Sequence, residues 1–305
     1  MSEEQQTRRC GFVAIIGAPN AGKSTLMNHL VGTKVSIVSA RVQTTRTMVR
    51  GIALHGESQV IFIDTPGIFK PKRRLDKAMV AAAWQGGVEA DVIMVVVDAA
   101  RPDPVSESED ILRQIAARQD QKPVILVLNK VDKIRKEKLL DLSVALNDRM
   151  DFAATFMISA LKGSGIDDLL RDLADRMPLS PWHFPEDQVS DMPMRLLAAE
   201  ITREKLFQKL YQELPQSLTV ETEAWEHFKD GSVKINQIIY VMRDSQKSIV
   251  LGKGGAQIKS VGETARHELE DILETRVHLK LFVKVREGWA EDPDMFRQWG
   301  LDTKA

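Results

Sequence analysis

A run of eight residues from Gly17 to Ser24, with the sequence GAPNAGKS, limits the possible folds of this chain more than any other feature. It matches the pattern G-x-x-x-x-G-K-[ST], in which backbone N–H groups converge on phosphate oxygens. The apolar run Phe12–Ile16 precedes it, and a helical pattern follows it. This order of strand, glycine loop and helix is the context that supports a phosphate-binding loop, since the start of the helix adds partial positive charge.

Short apolar runs alternate with helical patterns throughout the first 178 residues. This alternation predicts an α/β P-loop domain with a mostly parallel sheet and helices on both faces. Ligands of such sheets bind at the carboxyl ends of the strands. The predicted strands are Phe12–Ile16, Val60–Ile63, Val92–Val97, Val124–Leu128 and Thr155–Ile158.

Prolines interrupt the pattern between Pro178 and Pro193, and the order of elements changes after them. We therefore predict a first domain over 1–178, a linker over 179–193 and a second, α+β domain over 194–305. The second domain is predicted to contain helix Met194–Tyr211, strands Ser217–Phe228 and Val233–Arg243, a glycine loop, helix Ala256–Glu274 and a strand from Val277.

Composition excludes several other classes of protein. The single cysteine, Cys10, rules out a disulfide framework and a zinc site built from cysteines, and a reducing cytosol is the expected compartment. No apolar run approaches the roughly 18 residues that crossing a bilayer needs. The net charge of −1 gives no overall signal for nucleic-acid binding.

Residues after three of the predicted strands suit a guanine nucleotide. Lys23 would supply a point charge to the outer phosphates, and Ser24 would offer a hydroxyl to Mg²⁺. Asn129-Lys130-Val131-Asp132 matches N-K-x-D, whose carboxylate can accept two hydrogen bonds that guanine donates and adenine does not. Ser159-Ala160-Leu161 matches a motif that supports the base through the Ala160 backbone.

The segment Asp64-Thr65-Pro66-Gly67 matches D-x-x-G. We expect Asp64 to hold Mg²⁺ through water and the Gly67 N–H to contact the γ-phosphate. Thr44 or Thr45 would complete the Mg²⁺ coordination, and Thr45 is the preferred choice. The next residue, Arg46, could act as an arginine finger, or it could be solvated or have a structural role.

Ile68 occupies the position at which Ras-like proteins carry a glutamine that orients the attacking water. An isoleucine cannot bind water, so glutamine-assisted hydrolysis is excluded.

A second glycine loop, Gly252-Lys253-Gly254-Gly255, precedes the helix that begins near Ala256 and fits the G-X-X-G loop of KH domains, which clamps a nucleotide backbone. A glycine turn in an unrelated α+β domain is the alternative. The apolar residues Ile249, Val250 and Ile258 could line a groove for bases. Arg243, Lys247, Lys253 and Lys259 surround the loop, with Asp244 as the only acid between Arg243 and Lys259.

Taken together, these motifs resemble the Era family of GTPases. Outside the nucleotide motifs, the resemblance includes Phe184–Asp187, Glu200–Lys205 and Val283–Trp289, together with Phe296, Arg297 and Gly300. It extends from about Cys10 to Gly300, and the main departure is Lys253-Gly254 within the loop.

The resemblance implies a GTP-hydrolysing switch with a type II KH domain that binds the 3′ end of small-subunit (16S) rRNA and assists assembly of the 30S subunit. It implies GTP or GDP and Mg²⁺ as ligands. K⁺ held near Asn20 is a further expectation, and the alternative is that Asn20 only caps the loop. Also expected are a monomer and a cytoplasmic location with peripheral association at the inner membrane.

The residues expected at the sites divide into three groups. Lys23, Thr45, Gly67 and Asn20 are the catalytic candidates, and Ser24, Thr45 and Asp64 are the metal candidates. The nucleotide contacts are expected from Gly17, Ala18, Pro19, Asn20, Ala21, Gly22, Lys23, Ser24, Thr25, Thr44, Thr45, Asp64, Thr65, Pro66, Gly67, Asn129, Lys130, Asp132, Ser159, Ala160 and Leu161. The RNA contacts are expected from Gly252, Lys253, Gly254, Gly255, Lys259, Arg243 and Lys247.

Three other functions are weighed against this one. A metabolic P-loop kinase would lack the Asn129–Asp132 motif, and a ribosome-associated or tRNA-modifying GTPase of another family would lack the second domain. An RNA-binding protein with an inactive GTPase fold would not need Lys23, Ser24, Asp64 and Asp132 together.

Overall fold

The structure is a computed structural model. It describes residues 7–38, 46, 48–68, 71, 73–118, 122–210, 214–292, 295, 299 and 301. Thr44, Thr45, Phe296, Arg297 and Gly300 lie outside the described residues. Within the described part of the chain, no helix is long and apolar enough to span a bilayer.

The first domain is built on a six-stranded sheet in the order β2-β3-β1-β4-β5-β6. Five of its strands run parallel, as the alternating pattern predicts. The strands are β1 (Arg9–Ile16), β2 (Val49–His55), β3 (Ser58–Asp64), β4 (Val92–Asp98), β5 (Val124–Asn129) and β6 (Ala154–Met157).

The edge strand β2 is absent from the predicted set, and it pairs antiparallel with β3. Arg50 and Gly51 interrupt its apolar run, so the segment lacks the pattern of a buried strand. A signal was nevertheless present, because Gly56 and Glu57 form a two-residue turn between the strands, with Gly56 at a φ of 55°.

Helices cover both faces of this sheet. Consecutive residues of β1 alternate between two apolar clusters, since Val13 and Ile15 face one side and Ala14 and Ile16 the other. The helices are α1 (Lys23–Val31), α2 (Arg74–Glu89), α3 (Pro104–Ala116), α4 (Lys136–Asn147) and α5 (Ile166–Arg176). α1 and α5 pack on the first face, and α2, α3 and α4 pack on the second.

The second domain is built on a three-stranded sheet in the order β7-β8-β9, with β7 antiparallel and β9 parallel to β8. Its elements are α6 (Met194–Lys209), β7 (Leu218–His227), β8 (Val233–Val241), α7 (Asp244–Leu251), α8 (Ala256–Leu273) and β9 (Val277–Val285). The helix α7 was not predicted. It has only eight residues, of which Val250 alone is buried, so no periodic apolar face marks it in the sequence.

The two domains pack together through an apolar cluster. α2, which follows the D-x-x-G segment, contributes Leu75 and Met79, and the far end of the chain contributes Trp289, Trp299 and Leu301. Trp289 is fully buried, and its indole Nε1 donates a hydrogen bond to the Ser217 carbonyl over 3.0 Å. The second domain therefore rests against the helix that begins beside the nucleotide motifs.

Candidate functional site

The phosphate-binding loop folds tightly around the amine of Lys23. Lys23 is the first residue of α1, and its Nζ donates hydrogen bonds to the carbonyls of Gly17 (3.0 Å) and Ala18 (2.9 Å). Gly22 has a φ of 96°, and a Cβ there would lie 2.2 Å from the side-chain nitrogen of Asn129. Only glycine fits this position, for both conformational and steric reasons.

Burial lowers the pKa of Lys23 to about 8, and the nearby Asp64 carboxylate partly opposes that shift. A buried ammonium among backbone carbonyls is stabilised by an anion placed beside it. The loop is therefore chemically suited to the phosphates of a nucleotide.

The Asp64 carboxylate lies at the end of β3 and is fully buried. Its Oδ2 accepts hydrogen bonds from the hydroxyls of Ser24 (2.8 Å) and Ser36 (3.0 Å). A carboxylate and serine hydroxyls are the hard oxygen ligands that suit Mg²⁺, so the residues present fit that ion. Ser36 was missed in the sequence, where no motif marks it.

The rest of the D-x-x-G segment lies against the phosphate-binding loop. The Thr65 hydroxyl donates to the Ile15 carbonyl over 2.7 Å, and Pro66 is buried. A Cβ on Gly67 would lie 2.9 Å from the Cα of Pro19, so this close approach requires glycine. Ile68 packs in an apolar cluster with its side chain away from water.

The N-K-x-D segment is tied to the phosphate-binding loop from two sides. Asn129 is buried, and its Nδ2 donates to the Ala21 carbonyl over 2.8 Å. Lys130 reaches the Asn20 carbonyl with its Nζ at 2.7 Å and the Asp98 carboxylate at 2.6 Å. These contacts hold the N-K-x-D segment against the phosphate-binding loop.

Asp132 lies beside the loop that follows β6. The Ser159 hydroxyl donates to Asp132 Oδ1 over 2.7 Å, and this hydrogen bond holds the pKa of Asp132 below its ordinary value. The carboxylate is therefore ionised at neutral pH, as acceptance of two hydrogen bonds from guanine requires. The N–H of Ala160 donates to Asn129 Oδ1 over 2.9 Å, and Leu161 is largely exposed.

Arg46, which follows the two predicted switch threonines, contacts the second domain. Thr44 and Thr45 are outside the described residues, so the choice between them stays a prediction. Arg46 is buried in the domain interface, where it donates to the Leu218 carbonyl over 2.9 Å. Its guanidinium lies 5.2 Å from the centre of the Trp289 ring. These contacts favour the structural role for Arg46 over the arginine finger.

The second glycine loop opens α8 and is accessible. Gly252, Gly254 and Gly255 have φ values of 71°, 61° and 78°, which L side chains rarely adopt. Lys253 at its tip is exposed. The cations Arg243 and Lys259 are also exposed, whereas Lys247 is half-buried.

The three apolar residues suggested for the groove differ in how exposed they are. Ile249 is 56% exposed, and Ile258 is partly buried against the core of the second domain. Val250 is fully buried in that core, so the suggestion that it lines the groove is wrong.

Comparison with known proteins places the chain among close relatives. The chain is 60% identical over 294 residues to the GTPase Era of Rhizobium meliloti (strain 1021), an alignment that covers 96% of this chain and 93% of that protein. It is 56% identical over 306 residues to the GTPase Era of Bradyrhizobium sp. (strain ORS 278), with 99% of each covered. The chain belongs to the Era family of GTPases.

Family models and solved structures agree with this Era assignment. Residues 12–130 match the model described as "50S ribosome-binding GTPase", and residues 213–290 match that of the KH domain. The fold is similar to an Aquifex aeolicus Era bound to GDP.AlF4⁻, with a TM-score of 0.88, 40% identity and coverage of 96% of this chain and 99% of that one. An Era in complex with MgGDPNP and nucleotides 1506–1542 of 16S ribosomal RNA has a TM-score of 0.90, with the same identity and coverage.

Membership of the Era family confirms two of the predictions from sequence. The fold is a P-loop GTPase domain with a mostly parallel sheet, followed by a KH domain. The protein is a GTPase, which excludes the metabolic kinase and the inactive fold.

Proposed function

We propose that this Era-family GTPase binds the 3′ end of 16S rRNA through its KH domain and assists biogenesis of the 30S subunit. The observation that carries the proposal is the Gly252–Gly255 loop, whose tip at Lys253 and Gly254 is exposed and which stands at the start of α8 among exposed cations. A relative with 40% identity forms a complex with MgGDPNP and nucleotides 1506–1542 of that RNA. In this proposal, residues 1–178 bind GTP, residues 179–193 form the linker, and residues 194–305 bind RNA.

In this proposal, Gly17 to Thr25 hold the phosphates, and the loops after β5 and β6 hold guanine. Asp132 accepts the two guanine hydrogen bonds, while Asn129 and Lys130 keep its loop in place through Ala21 and Asn20. The Ala160 and Leu161 backbone lies beside the base. Discrimination against adenine then comes from the two hydrogen bonds that guanine donates to Asp132, because adenine lacks both donors there.

Ser24 and Asp64, with Thr45, are proposed to hold Mg²⁺, which neutralises charge on the phosphates when it is bound. Lys23 stabilises the charge that develops on the transferred phosphoryl group, and the Gly67 N–H contacts its oxygens. Ile68 is buried and orients no water. Asn20, at a left-handed φ of 65°, is proposed to help hold K⁺ beside the phosphates.

Nucleotide state is proposed to bias RNA access through the docking of the two domains. The segment after β3 leads into α2, and α2 packs on the second domain through Leu75 and Met79. A change in the contacts of Asp64 and Gly67 is thereby transmitted to a helix that touches the RNA-binding domain. Equal RNA affinity with GDP and with a non-hydrolysable GTP analogue would contradict this coupling.

Fluorescence anisotropy with a labelled RNA of the 16S 3′-terminal sequence tests RNA binding. The double substitution Lys253→Ser and Lys259→Ser should weaken binding by roughly tenfold or more, because two cations near the phosphates are lost. Lys229→Ser is the control. Lys229 is an exposed cation in the β7–β8 turn, at the start of β8, whereas the glycine loop comes after the end of that strand, which is about 30 Å long. Equal RNA affinity of the double variant and the wild type would refute the proposed RNA site.

A cytoplasmic monomer with peripheral association at the inner membrane completes the proposal, on the strength of the family resemblance. Flotation of the purified protein with anionic vesicles tests the membrane association, and absence of the protein from the vesicle fraction would remove it.

A further inference from the structure

The short segment from Lys34 to Val38 connects α1 to the part of the chain that carries Thr44 and Thr45. In its middle, Ser36 is 2% exposed and donates its hydroxyl to Asp64 Oδ2 over 3.0 Å. Ser24 donates to the same oxygen over 2.8 Å. Ser36 therefore contacts the carboxylate that the proposed function gives to Mg²⁺.

The backbone of Ser36 is held from within its own domain by Asn28 of α1. Asn28 Oδ1 accepts from the N–H groups of Val35 (3.0 Å) and Ser36 (2.9 Å), and its Nδ2 donates to the Ser36 carbonyl over 2.8 Å. These bonds fix the turn locally, but they leave the residues two positions before and after Ser36 to other partners.

Those two residues are Lys34 and Val38, and Glu204 of α6, in the second domain, contacts both of them. Its Oε2 lies 2.7 Å from Lys34 Nζ, and its Oε1 accepts from the Val38 N–H over 2.7 Å. Only 3% of the Glu204 side chain is exposed, so both oxygens are committed to these contacts in a buried setting. Lys34 and Val38 lie two residues before and two residues after Ser36, so the Glu204 carboxylate binds both ends of the turn that carries Ser36.

A second acid strengthens the same junction. Glu268 of α8 pairs with Lys34 and with Lys205, and Lys205 also lies 3.0 Å from Glu204. Two lysines and two glutamates balance in charge, which makes their burial tolerable. Since α8 begins directly after the Gly252–Gly255 loop, Lys34 links the RNA-binding helix to the turn that carries Ser36.

We infer that Glu204 is a positioning residue for the metal side of the nucleotide site. By holding Lys34 and Val38, it keeps the Ser36 hydroxyl against Asp64 Oδ2 and so sets the orientation of that carboxylate. This inference rests on the proposed role of Asp64 in holding Mg²⁺. It links the second domain to the GTPase site through the Ser36 turn, separately from the apolar cluster around Trp289.

The test is the release rate of a fluorescent GDP analogue from the full-length protein, measured across a titration with Mg²⁺ and in EDTA. Glu204→Ala should raise the Mg²⁺ concentration for half-maximal slowing of release by about three- to tenfold, the size expected for one lost hydrogen bond. Release in EDTA should stay within twofold of wild type, which a general loss of structure would not allow. Ser36→Ala should give the same shift, and the double variant should shift no further.

Asp191→Ala provides a matched control. Asp191, just before α6, also accepts from a side chain and a backbone N–H of the first domain, namely Arg50 Nη1 at 3.0 Å and Arg50 N at 3.3 Å, but it does not contact the Ser36 turn. The Mg²⁺ dependence of GDP release from Asp191→Ala should match that of the wild type. Glu204→Gln, which keeps the acceptor for Val38, should recover part of the shift.

Two results would overturn the inference. One is a Glu204→Ala or Ser36→Ala protein with the Mg²⁺ dependence of wild type. The other is an equal acceleration of release with and without Mg²⁺. If Glu204→Ala does not fold, Glu204→Gln takes its place, and a Glu204→Gln protein with the Mg²⁺ dependence of wild type overturns the inference. Asp64→Asn separates the two levels of the argument, because an unchanged Mg²⁺ dependence in that variant would reject the proposed metal role of Asp64 itself.

Discussion

Raising the pH should weaken GDP binding through a single buried amine, Lys23. In the structure, burial among carbonyls lowers the pKa of Lys23 to about 8. Phosphate oxygens placed beside the ammonium would bring the pKa back toward its ordinary value of 10.5, because an opposite charge favours the charged form. Binding therefore takes up a proton whenever the free protein has lost it.

The sign and size of the effect follow from linkage. Below the free-state pKa, Lys23 is already protonated and the full affinity is present; above it, affinity falls as the pH rises. With a free-state pKa of about 8, roughly nine-tenths of Lys23 is protonated at pH 7 and about a quarter at pH 8.5. The dissociation constant for GDP should accordingly rise by about fourfold over that range.

Isothermal titration calorimetry provides both readouts. Titrations with GDP at pH 7 and at about pH 8.5 give the affinity ratio. Titrations near pH 8 in buffers of different ionisation enthalpy give the proton uptake, expected at about half a proton per GDP. Lys23→Met is the control, since it keeps the length of the stem and removes the titrating amine, and its weaker affinity should be flat over this range.

Equal GDP affinity of the wild type at the two pH values, with no proton uptake near pH 8, would refute the reasoning. It would mean that the Lys23 amine is as well stabilised in the free protein as in the complex.

Three further predictions concern other parts of the molecule. GTP turnover should be several-fold faster in KCl than in NaCl of equal strength if Asn20 helps to hold K⁺, and equal rates would remove that role. Trp289→Ala should lower the free energy of unfolding by about 3–5 kcal/mol in urea titrations, because a fully buried indole leaves a cavity between the domains; a loss below about 1 kcal/mol would show that the interface contributes little. Ile249→Ala should leave the free energy of unfolding within about 0.5 kcal/mol of wild type and weaken RNA binding, since Ile249 is exposed. Val250→Ala should lower the free energy of unfolding by about 1 kcal/mol or more, since Val250 is buried. Equal unfolding free energies of the two variants would contradict the assignment of Val250 to the core.

The features that could be predicted from the sequence are those encoded in contiguous residues. The loop around Lys23 and the segment around Asp132 each carry their own pattern, and parallel-sheet topology brings the ends of β1, β3 and β5 to one edge. The geometry around them follows from local rules, such as the positive φ of Gly22.

Contacts between residues distant in sequence could not be predicted in this way. Nothing in the sequence around Ser36 marks it, because its surroundings depend on Glu204, more than 160 positions away, which contacts Lys34 and Val38 on either side of it. Arg46 looks in the sequence like a charged residue beside a switch, yet its guanidinium is buried against Trp289 and the Leu218 carbonyl. Such pairings depend on how the two domains dock, for which no local periodicity provides a signal.

The specificity of the nucleotide site for guanine is the claim that competition binding tests most directly. Displacement of a fluorescent GDP analogue by GTP or by ATP should show a preference for GTP of about 10⁴ or more in the wild type. Asp132→Asn should lose roughly a hundredfold or more in GTP affinity, because the amide keeps one acceptor oxygen and turns an N–H₂ donor toward the second guanine donor. If the wild type binds ATP as tightly as GTP, and Asp132→Asn leaves the ratio of the two affinities unchanged, the account of this site is wrong.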